Sequence, residues 1–155
     1  MASKPEARIQ ELHLTLPPAP KPVAKYKTAV LVGNLLYVSG HGPAAIEGVK
    51  TAGKVGSDLT VEQGKAAARA VGLNVLSTIK ATIGSLDKVK RLVKTLGMVN
   101  GTPDFKEQPQ VINGFSELMA DVFGEDAGVG TRSAVGMGSL PMNIPVEVEC
   151  MFEVG

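Results

Sequence analysis

The end of the chain constrains the fold most strongly. Between Ile144 and Val154 every second residue is apolar, and three glutamates lie among the residues in between. The apolar positions are Ile144, Val146, Val148, Cys150, Phe152 and Val154. A two-residue repeat over eleven positions predicts a β-strand with one buried face. Because Cys150 falls on that face, we expect it to pack in the core rather than to act as a nucleophile.

A β-hairpin is predicted nearer the start of the chain. Residues 28–32 and 35–39 are mainly apolar, and Gly33-Asn34 stands between them. Such a pair supplies the positive φ angles that a two-residue hairpin turn requires. Two glycines follow within residues 40–43, and we expect the chain to leave the strand there.

The segment before the last strand predicts a further strand, at residues 131–137, and residues 139–143 form the turn between the two. Arg132 stands there among small and apolar residues. A lone guanidinium in such a place is either partnered in a salt bridge or free to clamp a carboxylate, for which its planar fork of donors is suited. Glu147, in the strand expected to be adjacent, is its natural neighbour in both interpretations.

Two helices are predicted. Thr60-Val61-Glu62-Gln63 is a capping box that begins the first, and Gly84 is suited to end it. The second covers residues 109–123 and ends at Gly124. Each helix places its apolar residues on one stripe: Val61, Ala68, Val71, Val75 and Ile79 in the first; Val111, Phe115, Leu118 and Val122 in the second.

Residues 86–98 fit two patterns. Their apolar positions follow helical spacing, whereas residues 89–93 also form a β-branched run interrupted by charge. Periodicity alone favours a helix. With this segment counted as a strand, the order becomes β-β-α-β-α-β-β, an α+β arrangement with two helices on one face of a sheet. Because the other face also carries apolar residues, we expect the chain to associate with itself.

The first 25 residues predict an arm, and residues 26–155 a single domain. Within the arm, residues 5–13 can form a short helix, and four prolines between positions 17 and 22 make the next stretch stiff and extended. The apolar face of that helix and its continuation consists of Ala7, Ile9, Leu12 and Leu16. Such an arm either lies across a neighbouring subunit or forms a loosely packed leader.

Composition excludes several classes of function. Sixteen basic against fifteen acidic residues give a net charge of +1, which leaves no field to attract nucleic acid or an anionic membrane non-specifically. One cysteine allows no internal disulfide, and no apolar run is long enough to span a bilayer. We therefore expect a cytoplasmic protein. The glycine-rich residues 48–56 lack the Gly-Lys-Ser/Thr of a phosphate-binding loop.

The two histidines, His13 and His41, are far apart, and neither belongs to a His-x-x-x-His or glutamate pairing. No metal site is therefore expected. His13 lies in the arm, whereas His41 follows a predicted strand between two glycines, where side chains commonly reach a site. The Gly-x-Ser-x-Gly motif of serine hydrolases is absent from the sequence.

Taken together, these segments resemble the RidA (YjgF, endoribonuclease L-PSP) family over residues 26–154. The matching segments are residues 36–43, residues 53–56 with the capped helix after them, and residues 111–114, 131–135 and 140–149. The family has a chorismate-mutase-like α+β fold and forms homotrimers with a pocket at each subunit interface. By this resemblance residues 86–98 form a strand.

The resemblance implies hydrolysis of reactive enamines and imines, such as 2-aminoacrylate, to 2-keto acids and ammonia without a cofactor. Arg132 would grip the substrate carboxylate, and Glu147 would hold and activate the attacking water. The residues implied to line or support the pocket are Tyr26, Ser39, Gly40, His41, Asn113 and Ala134. His41 stands where RidA has glutamine and Ala134 where it has cysteine, which together with the arm indicates a sister subgroup.

An alternative is a non-catalytic trimer that holds a small carboxylate or a partner enzyme in the same cleft. Ribonuclease activity, which the family's other name suggests, is disfavoured by the near-neutral charge and by an aromatic content of 4%. Grooves that bind RNA usually need basic stripes and stacking rings.

Overall fold

The computed structural model describes residues 2–155. In chain order its elements are α1 (Pro5–Glu11), β1 (Ala29–Val32), β2 (Leu35–His41), α2 (Val61–Ile83), β3 (Val89–Asn100), α3 (Gln108–Phe123), β4 (Thr131–Met137) and β5 (Val146–Val154). Single 3₁₀ turns precede β3, at Leu86–Lys88, and β5, at Pro141–Asn143. Within residues 2–155 no helix has the length and apolarity needed to cross a bilayer.

The five strands form one mixed sheet in the order β1-β2-β5-β3-β4. β5 lies antiparallel between β2 and β3, and its alternating apolar residues are buried. β3 also pairs with β4, in parallel, because the connection through α3 returns the chain to the same end of the sheet. β3 therefore separates β4 from β5, and the prediction that these two strands are adjacent was wrong.

Residues 86–98, whose sequence fitted both a helix and a strand, form one 3₁₀ turn and then most of β3. The resemblance therefore assigned it correctly and helical periodicity did not. β3 pairs with a strand on each side, so its residues gain backbone hydrogen bonds in both directions. Such tertiary pairing outweighs a local preference of a few tenths of a kcal/mol per residue.

Three helices cover one face of the sheet, and the core lies between the two layers. The two predicted long helices are confirmed: the capping box at Thr60 is present with both of its hydrogen bonds, and α2 ends at Gly84 with a φ of 91°. α3 ends where Gly124 follows it. The predicted helix of the arm is α1.

The arm packs on its own chain. Ile9 of α1 is buried in the core cluster, and the Glu6 carboxylate accepts a hydrogen bond from the backbone N–H of Leu86 and forms an ion pair with Lys80. The Arg8 Nε donates to the carbonyl oxygen of Asp121, at the end of α3. The helix of the arm is thus joined to the domain at three separate elements rather than loosely attached.

Gly114 sets the closest approach of the two long helices. A Cβ at this position would overlap the backbone carbonyl oxygen of Lys65 on α2. Only a residue without a side chain lets α3 lie so near to α2. Asn113, the neighbour of Gly114, is thereby held at a fixed height above the sheet.

We expect Gly114→Ala to lower the free energy of unfolding by about 1–3 kcal/mol, because the helices must separate to admit the methyl group. Chemical denaturation measures this change. The matched control is Gly138→Ala, where a Cβ would meet nothing within 4 Å. Equal stability of the two variants would contradict the close helix contact.

Candidate functional site

Arg132 lies on the side of β4 that faces the helices. It is opposite Thr95 of β3, whose side chain is buried. The Arg132 Nη1 donates to the Oδ1 of Asn113 at 2.8 Å and to the Oγ of Ser116 at 3.2 Å, both on α3. These side chains and the loop before β4 line a cavity of about 190 Å³. The guanidinium is therefore held in place although it is exposed.

No carboxylate in residues 2–155 lies within 4.0 Å of the Arg132 guanidinium. Of the two interpretations of Arg132, the salt bridge is therefore absent among the described residues. Both of its hydrogen bonds use Nη1, so the Nε and Nη2 donors make none with the described residues. A planar pair of free N–H donors fits the two oxygens of a carboxylate ligand.

Glu147 lies on the opposite, helix-free face of the sheet. It is half-buried beneath the backbone of Gly40, where an added Cβ would stand 2.6 Å from the Glu147 Oε2. Burial raises the pKa of the Glu147 carboxyl, and the nearby Glu149 carboxylate raises it further. A carboxylate whose proton affinity is increased in this way is a better general base than an ordinary surface glutamate.

Arg132 and Glu147 do not meet within one protomer. Arg132 is in register with Thr95 of β3, whereas Glu147 is in register with Met98, three residues further along the same strand. With two strand spacings between β4 and β5, the backbones are roughly 10 Å apart across the sheet and roughly 10 Å apart along it. Because the side chains also project from opposite faces, one small molecule cannot contact both in a single copy of the chain.

The structure brings Ser39 and Gly40 to the Glu147 side. The Ser39 Oγ donates to the carbonyl oxygen of Lys27 at 2.6 Å, and Gly40 covers the Glu147 carboxylate. Contrary to expectation, Gly40 and His41 remain in β2, because a β-bulge between Val38 and His41 accommodates the extra residue. A bulge lets a strand change the direction of its side chains without ending.

The His41 side chain points toward α2, away from the face of the sheet that carries Glu147, and it does not line the cavity beside Arg132. Its ring is buried, 4% exposed, between β2 and α2, where Nε2 is 2.7 Å from the Thr78 Oγ1. Burial lowers the pKa of the His41 imidazole, although the bond to the Ser39 carbonyl opposes this. The His41 ring is therefore a neutral core residue on the helix-covered face of the sheet, opposite the face that carries Glu147.

The remaining predicted site residues occupy different places. Tyr26 lies on the bend before β1, with 43% of its surface exposed. Ala134 is opposite Gly97, on the same side of β4 as Arg132, and is half-buried. Among the predicted residues, Asn113 accepts a hydrogen bond from Arg132, the His41 ring is bonded to the carbonyl oxygen of Ser39, and Gly40 lies against Glu147.

Sequence reasoning missed Ser116. The available signal was its spacing, because Ser116 follows Asn113 by three residues, which places the two polar side chains on one face of a helix. Together they form the pair of acceptors that orients the guanidinium.

Cys150 is confirmed as a packing residue. It is buried on the helix-facing side of β5, and burial raises the pKa of its thiol, so the reactive thiolate is disfavoured. Within residues 2–155 the His, Cys, Asp and Glu side chains form no group of three that could hold a metal ion.

The sequence matches the family model described as "YjgF/chorismate mutase-like, putative endoribonuclease" over residues 6–153. The chain therefore belongs to this family, to which RidA also belongs, and its fold is of the chorismate-mutase-like type. Protein TCP17 of Trypanosoma cruzi is 44% identical over 148 residues, which cover 96% of this chain and 92% of that protein.

Two solved structures differ in their sequence identity and structural similarity to the chain. The protein Atu1372 of Agrobacterium tumefaciens, whose function is unknown, is 42% identical and superposes with a TM-score of 0.87 over 97% of this chain and 92% of its own. RidA of a Psychrobacter species is 27% identical, with a TM-score of 0.59 over 88% and 94% of the two chains. The superposition on Atu1372 thus has the higher TM-score of the two and covers more of this chain.

We expect Glu147 to titrate above the usual range of a glutamate carboxyl. ¹³C NMR of the carboxyl carbon during a pH titration measures this, and the resonance lost in Glu147→Gln identifies it. Because burial is the larger cause, Glu149→Gln should lower the pKa of Glu147 only part of the way. An ordinary pKa in the unmodified protein would contradict the geometry.

Proposed function

We propose that the protein hydrolyses reactive imines and enamines of the 2-aminoacrylate type to 2-keto acids and ammonia, as the RidA family resemblance implies. The observation that carries the proposal is the Arg132 guanidinium, which is oriented by Asn113 and Ser116 and has no carboxylate partner in residues 2–155. The resemblance to RidA supports a small 2-imino acid as the anion that Arg132 would bind.

The reaction needs only a placed substrate, a water molecule and a base. The free donors of Arg132 hold the carboxylate of the imino acid, and the water loses a proton to Glu147 as its oxygen bonds to the C=N carbon. Glu147 passes this proton to the nitrogen, which gives a carbinolamine. The carbinolamine hydroxyl then loses its proton through Glu147 to the nitrogen, the C=O bond forms as the C–N bond breaks, and ammonia leaves the 2-keto acid. An enamine substrate first becomes the imine by moving a proton from its nitrogen to its terminal carbon. Because the imine is reactive by itself, placement supplies much of the required acceleration.

We infer that each site is shared between two copies of the chain in a homotrimer. Arg132 and Glu147 are too far apart in one copy, so a complete site requires Arg132 of one protomer and Glu147 of the next. The helix-free face supports self-association, because Val30 and Tyr37 expose 41% and 44% of their surfaces there. These residues border a depression of about 470 Å³ that includes Ser39 and Lys94.

The assay mixes the protein with a dehydratase that generates 2-aminoacrylate and follows pyruvate release. We expect Arg132→Ala to lower kcat/KM by about 10- to 100-fold, the range expected for hydrogen bonds to a charged group. Arg132→Lys should restore little, because an ammonium cannot form the planar pair of bonds. The matched control is Arg91→Ala, on exposed Arg91 of β3, which pairs with Asp126.

No acceleration by the unmodified protein, or full activity in Arg132→Ala, would overturn the catalytic proposal. Thermal stabilisation by 2-keto acids without turnover would identify a binding protein instead.

Activity of Glu147→Gln should be lower by about 10²- to 10⁴-fold, the usual contribution of a general base. In the unmodified protein the rate should rise with pH through the raised pKa of Glu147, because the base acts when ionised.

The shared site predicts complementation between two inactive variants. Equal amounts of Arg132→Ala and Glu147→Gln protomers are unfolded together and reassembled. About one quarter of the subunit interfaces should then combine an intact Arg132 with an intact Glu147. Pyruvate release should then reappear. A mixture as inactive as each variant alone, with heterotrimers verified by mass spectrometry, would contradict the shared site.

A further inference from the structure

We propose that His41 is a positioning residue for the general base: it closes the β-bulge in β2 and thereby holds Gly40 over the Glu147 carboxylate. The inference rests on the proposed function, since it concerns the direction in which Glu147 holds its water. His41 itself touches neither substrate nor water.

The bulge determines which way three consecutive residues face. Val38 is opposite Cys150 and His41 is opposite Val148, so β2 has two residues where β5 has only Glu149. Val38 and His41 therefore both point toward the helices although they are three positions apart. Without the extra residue, His41 would point to the opposite face and Gly40 would not lie above Glu147.

Two hydrogen bonds of the His41 ring close the bulge. Its Nδ1 is 2.6 Å from the carbonyl oxygen of Ser39, across the bulge, and its Nε2 is 2.7 Å from the Thr78 Oγ1 on α2. Because a carbonyl only accepts, Nδ1 carries the proton, and Nε2 of the neutral ring accepts from the Thr78 hydroxyl. The ring thus ties the bulged backbone to a buried helix residue that is 1% exposed.

Gly40 transmits this restraint to Glu147. The carboxylate lies against the backbone of Gly40 so closely that a Cβ there would stand 2.6 Å from Oε2. No hydrogen bond from residues 2–155 reaches the Glu147 carboxylate, so this packing is the main restraint on its direction. A displacement of the bulge by about 1 Å would move the base relative to the bound imine, and errors of that size cost about 10²-fold in rate.

The test compares variants that remove one bond at a time. His41→Leu fills the space but removes both hydrogen bonds. His41→Asn keeps an N–H donor near the position of Nδ1 and can still bond to the Ser39 carbonyl. Thr78→Val removes only the bond to α2. The matched control is Ser77→Ala, because the Ser77 hydroxyl on the same helix donates to the carbonyl oxygen of Pro17 in the arm, away from the bulge.

We expect His41→Leu to lower kcat about 10-fold or more while KM changes less than about threefold, because Arg132 is supplied by another protomer. His41→Asn should recover most of the rate, and Thr78→Val should lie between the two. In NMR titrations the pKa of Glu147 should fall toward its ordinary value in His41→Leu, since a loosened bulge admits water.

A merely structural role predicts a different result. If His41→Leu lowers the melting temperature as Ser77→Ala does, but leaves both kcat and the Glu147 titration unchanged, the proposal is overturned. If the unmodified protein has no imine hydrolase activity, the proposed function fails by itself. The Glu147 titration then still decides the role of His41, because it requires no turnover.

Discussion

The pairing of β3 with a strand on each side is the constraint on which the site depends. It fixes Arg132 against Thr95 on one edge and Glu147 against Met98 on the other, with the two side chains on opposite faces. No loop movement can bring them together while this pairing persists. Under the proposed function a complete site requires a second copy of the chain, and the proposal therefore links activity to assembly.

The helix layer fixes the direction of the Arg132 guanidinium. Two glycines allow the close packing: Gly114 admits α2 against α3, and Gly97 admits Ile112 against β3, where a Cβ would stand 2.6 Å from the Ile112 side chain. Between these two contacts lies Asn113, whose Oδ1 accepts from Arg132. The direction of the guanidinium is therefore set by backbone packing rather than by a flexible surface side chain.

The sequence predicted most elements because their signals are local. The hairpin at Gly33-Asn34, the capping box at Thr60 and the alternation of β5 each depend on residues within one element. Strand order was not predictable in this way, since the short turn before β5 suggested a neighbour and the crossover through α3 placed β3 between the strands. The environment of His41 was equally hidden, because its partner Thr78 lies 37 residues away.

The arm has a consequence for how the chain is made. α1 is synthesised well before Lys80, Leu86 and Asp121, with which it makes its contacts. During translation α1 can make all of these contacts only after α3 has left the ribosome. Ile9 of α1 thus waits for its final packing while more than a hundred later residues are synthesised, and the nascent chain must keep it from other hydrophobic surfaces during that time.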